Sequence, residues 1–228
     1  MPKIVKKKKL KFIPFFLLIL CIAGIIFSVE LFLDTKIKNI VITGNEILSD
    51  QQILELANLT NYPSFYKNTN TKIEKAIEKN PFVKKVTVKK SFYHVLTIKI
   101  KEYQILFKKE QDGKVVLENK QELATEQPIK EALPRLINYV PNTKYDAFIK
   151  GMKQVNPEIK QKISEISYLP NDYDKDRFLL YMDDGNSVYL TLTKFKMINY
   201  YNEVLPQLDG KKGILYLDSG NHFQIMQQ

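Results

Sequence analysis

Tryptophan is absent from the 228 residues, histidine occurs twice and cysteine once. A single cysteine excludes any intrachain disulfide. His94 and His222 fall in separate expected domains, which leaves little material for a His-rich metal site or a Ser–His nucleophilic pair. Each reads as a surface or hairpin residue. Eight glycines and ten prolines are too few for a fibrous or low-complexity chain, and no glycine-rich phosphate loop occurs. The composition is otherwise that of a folded protein: 44% hydrophobic, 26% charged, with thirteen Phe and thirteen Tyr. That is enough core material for one large domain or two small ones, and it excludes intrinsic disorder.

Acidic residues are scarce relative to basic ones, with a net charge of +10. The excess is not spread evenly, because Lys3, Lys6, Lys7, Lys8, Lys9 and Lys11 stand in a stretch with no acid. Nucleic-acid binding needs a basic face on a folded domain, and a short basic tail does not supply one. The segment after the tail explains it. Phe12 to Val29 carries no charge, and Leu31, Phe32 and Leu33 extend the apolar run past Glu30. Roughly 20 helical residues cross the ~30 Å hydrocarbon core, so 12–33 is expected to be a transmembrane helix. Lysines before it and mixed charges after it (Asp34, Lys36, Lys38) place residues 1–11 in the cytoplasm and the rest outside. A cleaved signal peptide fits less well, since the run is long and Ser28, Val29 and Glu30 make no small-x-small site. Cys21 follows Leu20 rather than a small residue and precedes more apolar chain, so it reads as a lipid-facing or packing cysteine rather than a lipoprotein site.

Beyond Asp34 the pattern changes. Lys36 to Thr43 alternates with Ile37, Ile40 and Ile42 as apolar positions and ends at Gly44-Asn45, a strand and tight turn. Ser49 and Gln52 match the ends of a capping box before Ile53, Leu54 and Leu56. A second helix is expected over Thr71–Lys79, closed by Pro81. Phe82–Lys90 and Val95–Glu102 read as two strands joined by Ser91-Phe92-Tyr93-His94. The order strand, helix, helix, strand, strand makes a small domain with two helices on one face of a three-stranded sheet.

The runs KIKNIVITGNEILSDQQILELANL and IEKNPFVKKVTVKKSFYHVLTIKIKEY resemble a POTRA domain, from the strand–Gly-Asn–helix opening to the closing Ile-x-Ile-x-Glu. A single POTRA module behind one membrane helix is the layout of the FtsQ/DivIB cell-division family. Outer-membrane and secretion barrels would need a long series of amphipathic strands in the remaining chain. A POTRA-bearing transport or secretion factor that binds client strands is the alternative.

The remainder carries a hairpin around Asp112-Gly113 within Ile105–Glu118 and an irregular, proline-spaced stretch over Glu122–Pro141. LPRLINY in that stretch resembles the family's connector. A helix is expected over Thr143–Val155, with Phe148 and Met152 at i and i+4. Strands are expected next at Ile163–Leu169, Arg177–Met182 and Ser187–Leu192. A helix capped by Thr193 should run to Pro206, with Phe195, Ile198, Tyr201, Val204 and Leu205 on its apolar positions. Gly213–Asp218 is the last expected strand. This series is similar in content and order to the C-terminal β domain of FtsQ/DivIB proteins. The overall expectation is an α+β chain: a basic tail (1–11), a transmembrane helix (12–33), a POTRA domain (34–103) and a mixed, mainly antiparallel β domain with flanking helices (104–228). It lacks the long cytoplasmic and C-terminal tails of many relatives, so roles tied to those are not expected.

Catalytic patterns are weak. Asp172, Asp174, Asp176 and Asp183 have calcium-loop spacing, but Arg177 stands where glycine is required. Asp183-Asp184 is explained by its turn, and Asn58-Leu59-Thr60 is a glycosylation triplet short enough to arise by chance. Lys84, Lys85, Lys89 and Lys90 read as the solvent face of a strand, with anionic lipid or wall polymer as a functional reading. No catalytic residue, metal, cofactor, small-molecule substrate or nucleic acid is expected. The resemblance implies a divisome scaffold that binds single-pass coiled-coil partners of the FtsL and FtsB/DivIC type at the septum and helps regulate septal peptidoglycan synthesis. It places partner contacts on Tyr216, Leu217, Asp218, Ser219, Gly220 and Phe223. Physically, Ile214–Asp218 is expected to be a sheet edge open to strand addition.

Overall fold

The computed structural model describes residues 12–124, 129 and 132–226; the basic tail at 1–11 and Pro128 lie outside them. The first element, α1 (Phe12–Leu33), has no buried residue. A helix apolar on every side up to Glu30 needs an apolar surrounding, and its 22 residues rise ~33 Å, enough to cross a bilayer core. The described residues divide into two compact units, one up to Glu102, which includes α1, and one from Tyr103.

In the N-terminal unit β1 (Asn39–Thr43) is followed by α2 (Asp50–Leu56), α3 (Asn70–Ile77), β2 (Val83–Lys90) and β3 (Val95–Glu102). The sheet order is β1-β3-β2, with β1 parallel and β2 antiparallel to β3. Both capping-box bonds between Ser49 and Gln52 are formed. Gly44 turns the chain at φ +83, and a Cβ there would lie 2.2 Å from Ile100 O, so only glycine fits. The core joins Ile53, Ile73 and Ile77 of the helices to Val86, Val88, Leu96 and Ile98 of the strands, all buried.

Two carboxylate devices complete this unit. Glu102, the last residue of the Ile-x-Ile-x-Glu strand, accepts the backbone N–H groups of Glu46 (2.8 Å), Ile47 (2.7 Å) and Leu48 (2.9 Å). It thus ties the loop after β1 to β3. Glu102→Ala is expected to cost about 1.5–3 kcal/mol, read as a lower urea midpoint of the N-terminal unit with that of the C-terminal unit unchanged. On the outer edge of β2, Glu74 of α3 and Glu78 just after it accept the N–H groups of Val88 (2.8 Å) and Val86 (3.4 Å), occupying that edge against strand addition. The exposed face carries Lys85 and Lys89 on β2 and Lys99 and Lys101 on β3, with Lys85 directly opposite Lys101.

The C-terminal unit is built on a nine-stranded sheet. Its strands are β4 (Ile105–Lys109), β5 (Val115–Leu117), β6 (Glu122–Leu123), β7 (Arg135–Leu136), β8 (Ile163–Tyr168), β9 (Arg177–Met182), β10 (Ser187–Thr191), β11 (Gly213–Tyr216) and β12 (His222–Ile225). Their order is β12-β11-β10-β9-β8-β7-β4-β5-β6. Most neighbours are antiparallel, and β10–β11, β7–β8 and β4–β7 are parallel. The stretch read as irregular thus contains two short strands. One of them, β7 within LPRLINY, joins the β4 hairpin to β8.

Helices α4 (Asn142–Met152) and α5 (Pro157–Lys160) belong to this unit. Phe148 of α4 stacks on Phe178 (centroids 4.9 Å) and meets Phe195 edge-on (5.7 Å). Lys160 is buried and donates to Ile105 O at 2.8 Å.

One expected helix is replaced by another form. Instead of an α-helix capped by Thr193, the chain winds as a 3-10 helix over Leu192–Tyr200, makes one α turn, α6 (Tyr201–Val204), and returns to 3-10 over Leu205–Leu208. Thr191 precedes it and makes no side-chain cap bond. Phe195, Ile198 and Tyr201, all buried, recur every three residues, so a 3.0-residue turn keeps them on one line where a 3.6-residue turn would let it drift.

Candidate partner-binding edge

Around β11 the structure corrects the sequence expectation. Ile214–Asp218 is not the sheet edge: β12 pairs antiparallel with β11, which lies between β10 and β12. The polar turn at Ser219–Asn221 conceals the last strand in the sequence, although Phe223 and Ile225 come after it in alternation. Positive φ at Gly220 (+142) and Asn221 (+53) reverses the chain there.

Strand β11 is fixed at both ends. At its start Gly213 N–H donates to Asn186 Oδ1 at 2.9 Å. Buried Asn186 also donates to Asp184 and to the Tyr201 hydroxyl, and that hydroxyl donates to Asp184. Burial opposes ionisation of Asp184, but the hydrogen bonds from Asn186 N–H, the Tyr201 hydroxyl and the Asn186 amide outweigh it and hold the carboxyl below its ordinary value. Tyr201 is shifted upward, by burial first and by the Asp184 charge. A carboxyl depressed in the folded state contributes stability above its unfolded pKa and loses it as pH falls through the folded value. Asp184→Asn should therefore flatten the acid side of a melting-temperature profile, which a thermal scan across the carboxylate range would show.

At the far end Arg177 Nε donates to Asp218 Oδ2 at 2.7 Å, with side chains only 14% and 7% exposed. Lys194 Nζ donates to Asp218 O at 2.9 Å. Arg177 also lies over Tyr189, 3.4 Å from its ring centroid. Tyr189 stacks on Tyr216 (5.3 Å) and Tyr216 on His222 (4.6 Å, 4° between planes). A cation and three rings thus run across β9, β10, β11 and β12 on one face.

The six expected contact residues separate accordingly. Leu217 is buried in the core and Asp218 is held in its ion pair. Tyr216 is half-buried in the ring stack, and its hydroxyl donates to Gln224 at 3.0 Å. Ser219 and Gly220 are exposed in the turn, and Phe223 packs partly against the core. What the sequence reading missed is the edge itself. Met226 N–H donates to Lys212 O at 3.0 Å. Antiparallel alternation then turns the backbone of His222 and Gln224 toward β11 and that of Phe223 and Ile225 outward. Beside this outward backbone, Ile225 and Met226 are about half exposed.

Elsewhere the unit offers little chemistry. In the cleft lined by Lys109, Glu122, Asn138, Asn142 and Tyr145 polar groups are already engaged: Lys109 Nζ lies 2.8 Å from Glu122, the Tyr145 hydroxyl donates to the same carboxylate, and the Asn138 amide pairs with the Tyr168 backbone. Among the described residues no three His, Cys, Asp or Glu side chains gather as a metal site. Asp174 and Asp176, of the calcium-loop spacing, are used in a local turn and in an ion pair with Lys144.

Residues 35–103 match the POTRA domain, FtsQ-type, and residues 107–219 match the cell division protein FtsQ/DivIB C-terminal domain. The cell division protein DivIB of Bacillus subtilis is 32% identical over 98% of this chain and 88% of its own length. The chain belongs to the FtsQ/DivIB family of cell-division proteins. Another relative, DivIB of Listeria monocytogenes, is 26% identical over 100% of this chain and 87% of its own. The extracytoplasmic domain of DivIB from Geobacillus stearothermophilus aligns with a TM-score of 0.39 at 22% identity, over 47% of this chain and 95% of that one. In this FtsQ/DivIB member the family match ends at Ser219, so β12 lies just beyond it.

Proposed function

We propose that this FtsQ/DivIB member is a non-catalytic scaffold of the division septum. It binds single-pass coiled-coil partners of the FtsL and FtsB/DivIC type and so helps localise and regulate septal peptidoglycan synthesis. In this reading α1 crosses the cell membrane once, with the lysine tail in the cytoplasm and the chain beyond Asp34 outside. Strand addition at β12 is the binding mode, and the outward backbone of Phe223 and Ile225 carries the proposal. Their N–H and C=O groups offer backbone hydrogen bonds to an incoming strand, while Phe223, Ile225 and Met226 supply apolar contact. The aromatic stack through Tyr216, together with the Asp218 ion pair, holds the edge rigid. Ser219 and Gly220 shape the turn that starts it.

Ile225→Pro tests this directly. Proline removes an N–H that faces outward and is tolerated at a sheet edge, so the full chain in detergent should stay folded. Capture of the coiled-coil partners should fall about tenfold, the worth of one backbone hydrogen bond and its neighbours. Unchanged capture, or a fluorescent fusion that ignores the septum, would remove the reading.

A further inference from the structure

The turn that joins β2 to β3 ends in two aromatics with nothing over them: Phe92 is fully exposed and Tyr93 81% exposed. Single exposed apolar residues are ordinary, but two adjacent rings on a closed turn call for an environment. The position of the turn identifies it. Strands β1 and β3 are parallel, with Asn39 opposite Val95, and Lys38 N–H donates to His94 O at 2.9 Å. Residues before Val95 therefore run back in the same direction as residues before Asn39, toward α1. Ser91 N–H donates to Val95 O and His94 N–H to Ser91 O, so the chain reverses at Phe92 and Tyr93, which lie about level with Lys38 and Ile37.

The connection between α1 and β1 is short and fastened. Ser64 donates to Leu33 O, Lys67 pairs with Asp34, Phe65 N–H donates to Thr35 O at 2.8 Å and Ile37 N–H to Pro63 O at 3.0 Å. Phe32, in the last turn of α1, stacks on Tyr66 (4.4 Å). Tyr66 in turn meets the His94 ring at 5.9 Å, and Phe65 meets it at 5.1 Å. A relay of rings thus links the helix end to the turn. Ile37 stands four residues beyond Leu33, at most about 14 Å along the chain. Since α1 already fills a ~30 Å core, residues at this level lie at the boundary of headgroups and water. That zone favours amphipathic rings such as tyrosine. Exposed Lys36, Lys38 and Lys89 flank the turn and suit phosphate headgroups.

We propose that the Ser91–His94 turn is a membrane foot: Phe92 and Tyr93 enter the outer headgroup zone of the bilayer that α1 crosses and fix the orientation of the N-terminal unit above it. The proposal rests on α1 being a membrane crossing, and the test separates the two. Because the chain has no tryptophan, one introduced residue reports alone. Full-length F92W, K79W and F16W would be reconstituted in phosphatidylcholine–phosphatidylglycerol vesicles with and without brominated acyl chains. Lys79 is exposed at the opposite end of β2, and Phe16 lies within α1. The expected result is blue-shifted emission and bromine quenching for F92W, stronger quenching for F16W and none for K79W. An unquenched F92W beside a quenched F16W overturns the foot and leaves the anchor standing. A blue-shifted but unquenched F92W overturns it in favour of a protein covering the turn, and an unquenched F16W removes foot and anchor together.

Discussion

Gly213→Val is expected to release β12 from the sheet and reduce partner capture below detection while the N-terminal unit stays folded. A Cβ at Gly213 would stand 2.1 Å from Gln224 O and 2.7 Å from the Phe223 ring. The nearest of these is backbone, which cannot rotate away. Overpacking of this kind costs about 3 kcal/mol or more, and β12 is only four residues long with one paired side. Moving the strand is therefore less costly than accommodating valine. A foreign strand seated beside β11 in place of β12 would meet the same methyl groups, so the site is not restored. Retained capture by G213V, with β12 shown displaced by proteolysis after Gly220, would mean that the partner is held elsewhere.

Asp218→Ala should lower the stability of the C-terminal unit by about 3 kcal/mol, because it leaves the guanidinium of Arg177 largely buried and unpaired by a carboxylate. The 7% exposure of Asp218 makes it a support of the edge rather than a contact, so any loss of binding should track the loss of folded protein. Ser219→Ala is the contrast: its hydroxyl is exposed and donates to Asp218 at 3.0 Å, and its removal should change stability by no more than about 0.5 kcal/mol. Denaturant titration of the two variants, with capture then measured at saturating folded concentration, separates support from contact. Equal stability of D218A and S219A would refute the role assigned to the Arg177 pair.

Much of this fold was legible because local signals and tertiary demands coincide. Val83–Lys90 and Val95–Glu102 alternate because one face of the sheet is covered by α2 and α3 and the other is wet. Ser49 and Gln52 formed their capping box, and Gly44 stands where a positive φ and a close carbonyl exclude a side chain. The misreadings arose where a pattern was shorter than its rule or compatible with two. Phe195, Ile198 and Tyr201 satisfy helical spacing loosely and three-residue spacing strictly, and the stricter period was the informative one. Strand β12 shows only Phe223 and Ile225 as apolar positions at the end of the chain, too few to announce a strand without β11 to pair with. The roles of Glu102, Glu74 and Glu78 are not legible in sequence, because their carboxylates accept from backbone N–H groups, which sequence does not display. Lys160 is buried for a similar reason: its partner is a carbonyl, Ile105 O.

The candidate site was legible in outline only. Its location at the C-terminal end of the sheet came from family resemblance. Assignment of roles needed the register, which sends Leu217 into the core, Tyr216 into a ring stack and the backbone of Phe223 and Ile225 outward.

Amide hydrogen exchange, residue by residue, with and without the ectodomains of the coiled-coil partners, tests the β12 edge most directly. The amides of Phe223 and Ile225 are expected to exchange freely in the isolated protein and to become protected on binding, while those along β1 do not change. Partner binding that leaves both amides exchanging at their free rates, or protects β1 instead, would contradict strand addition at β12.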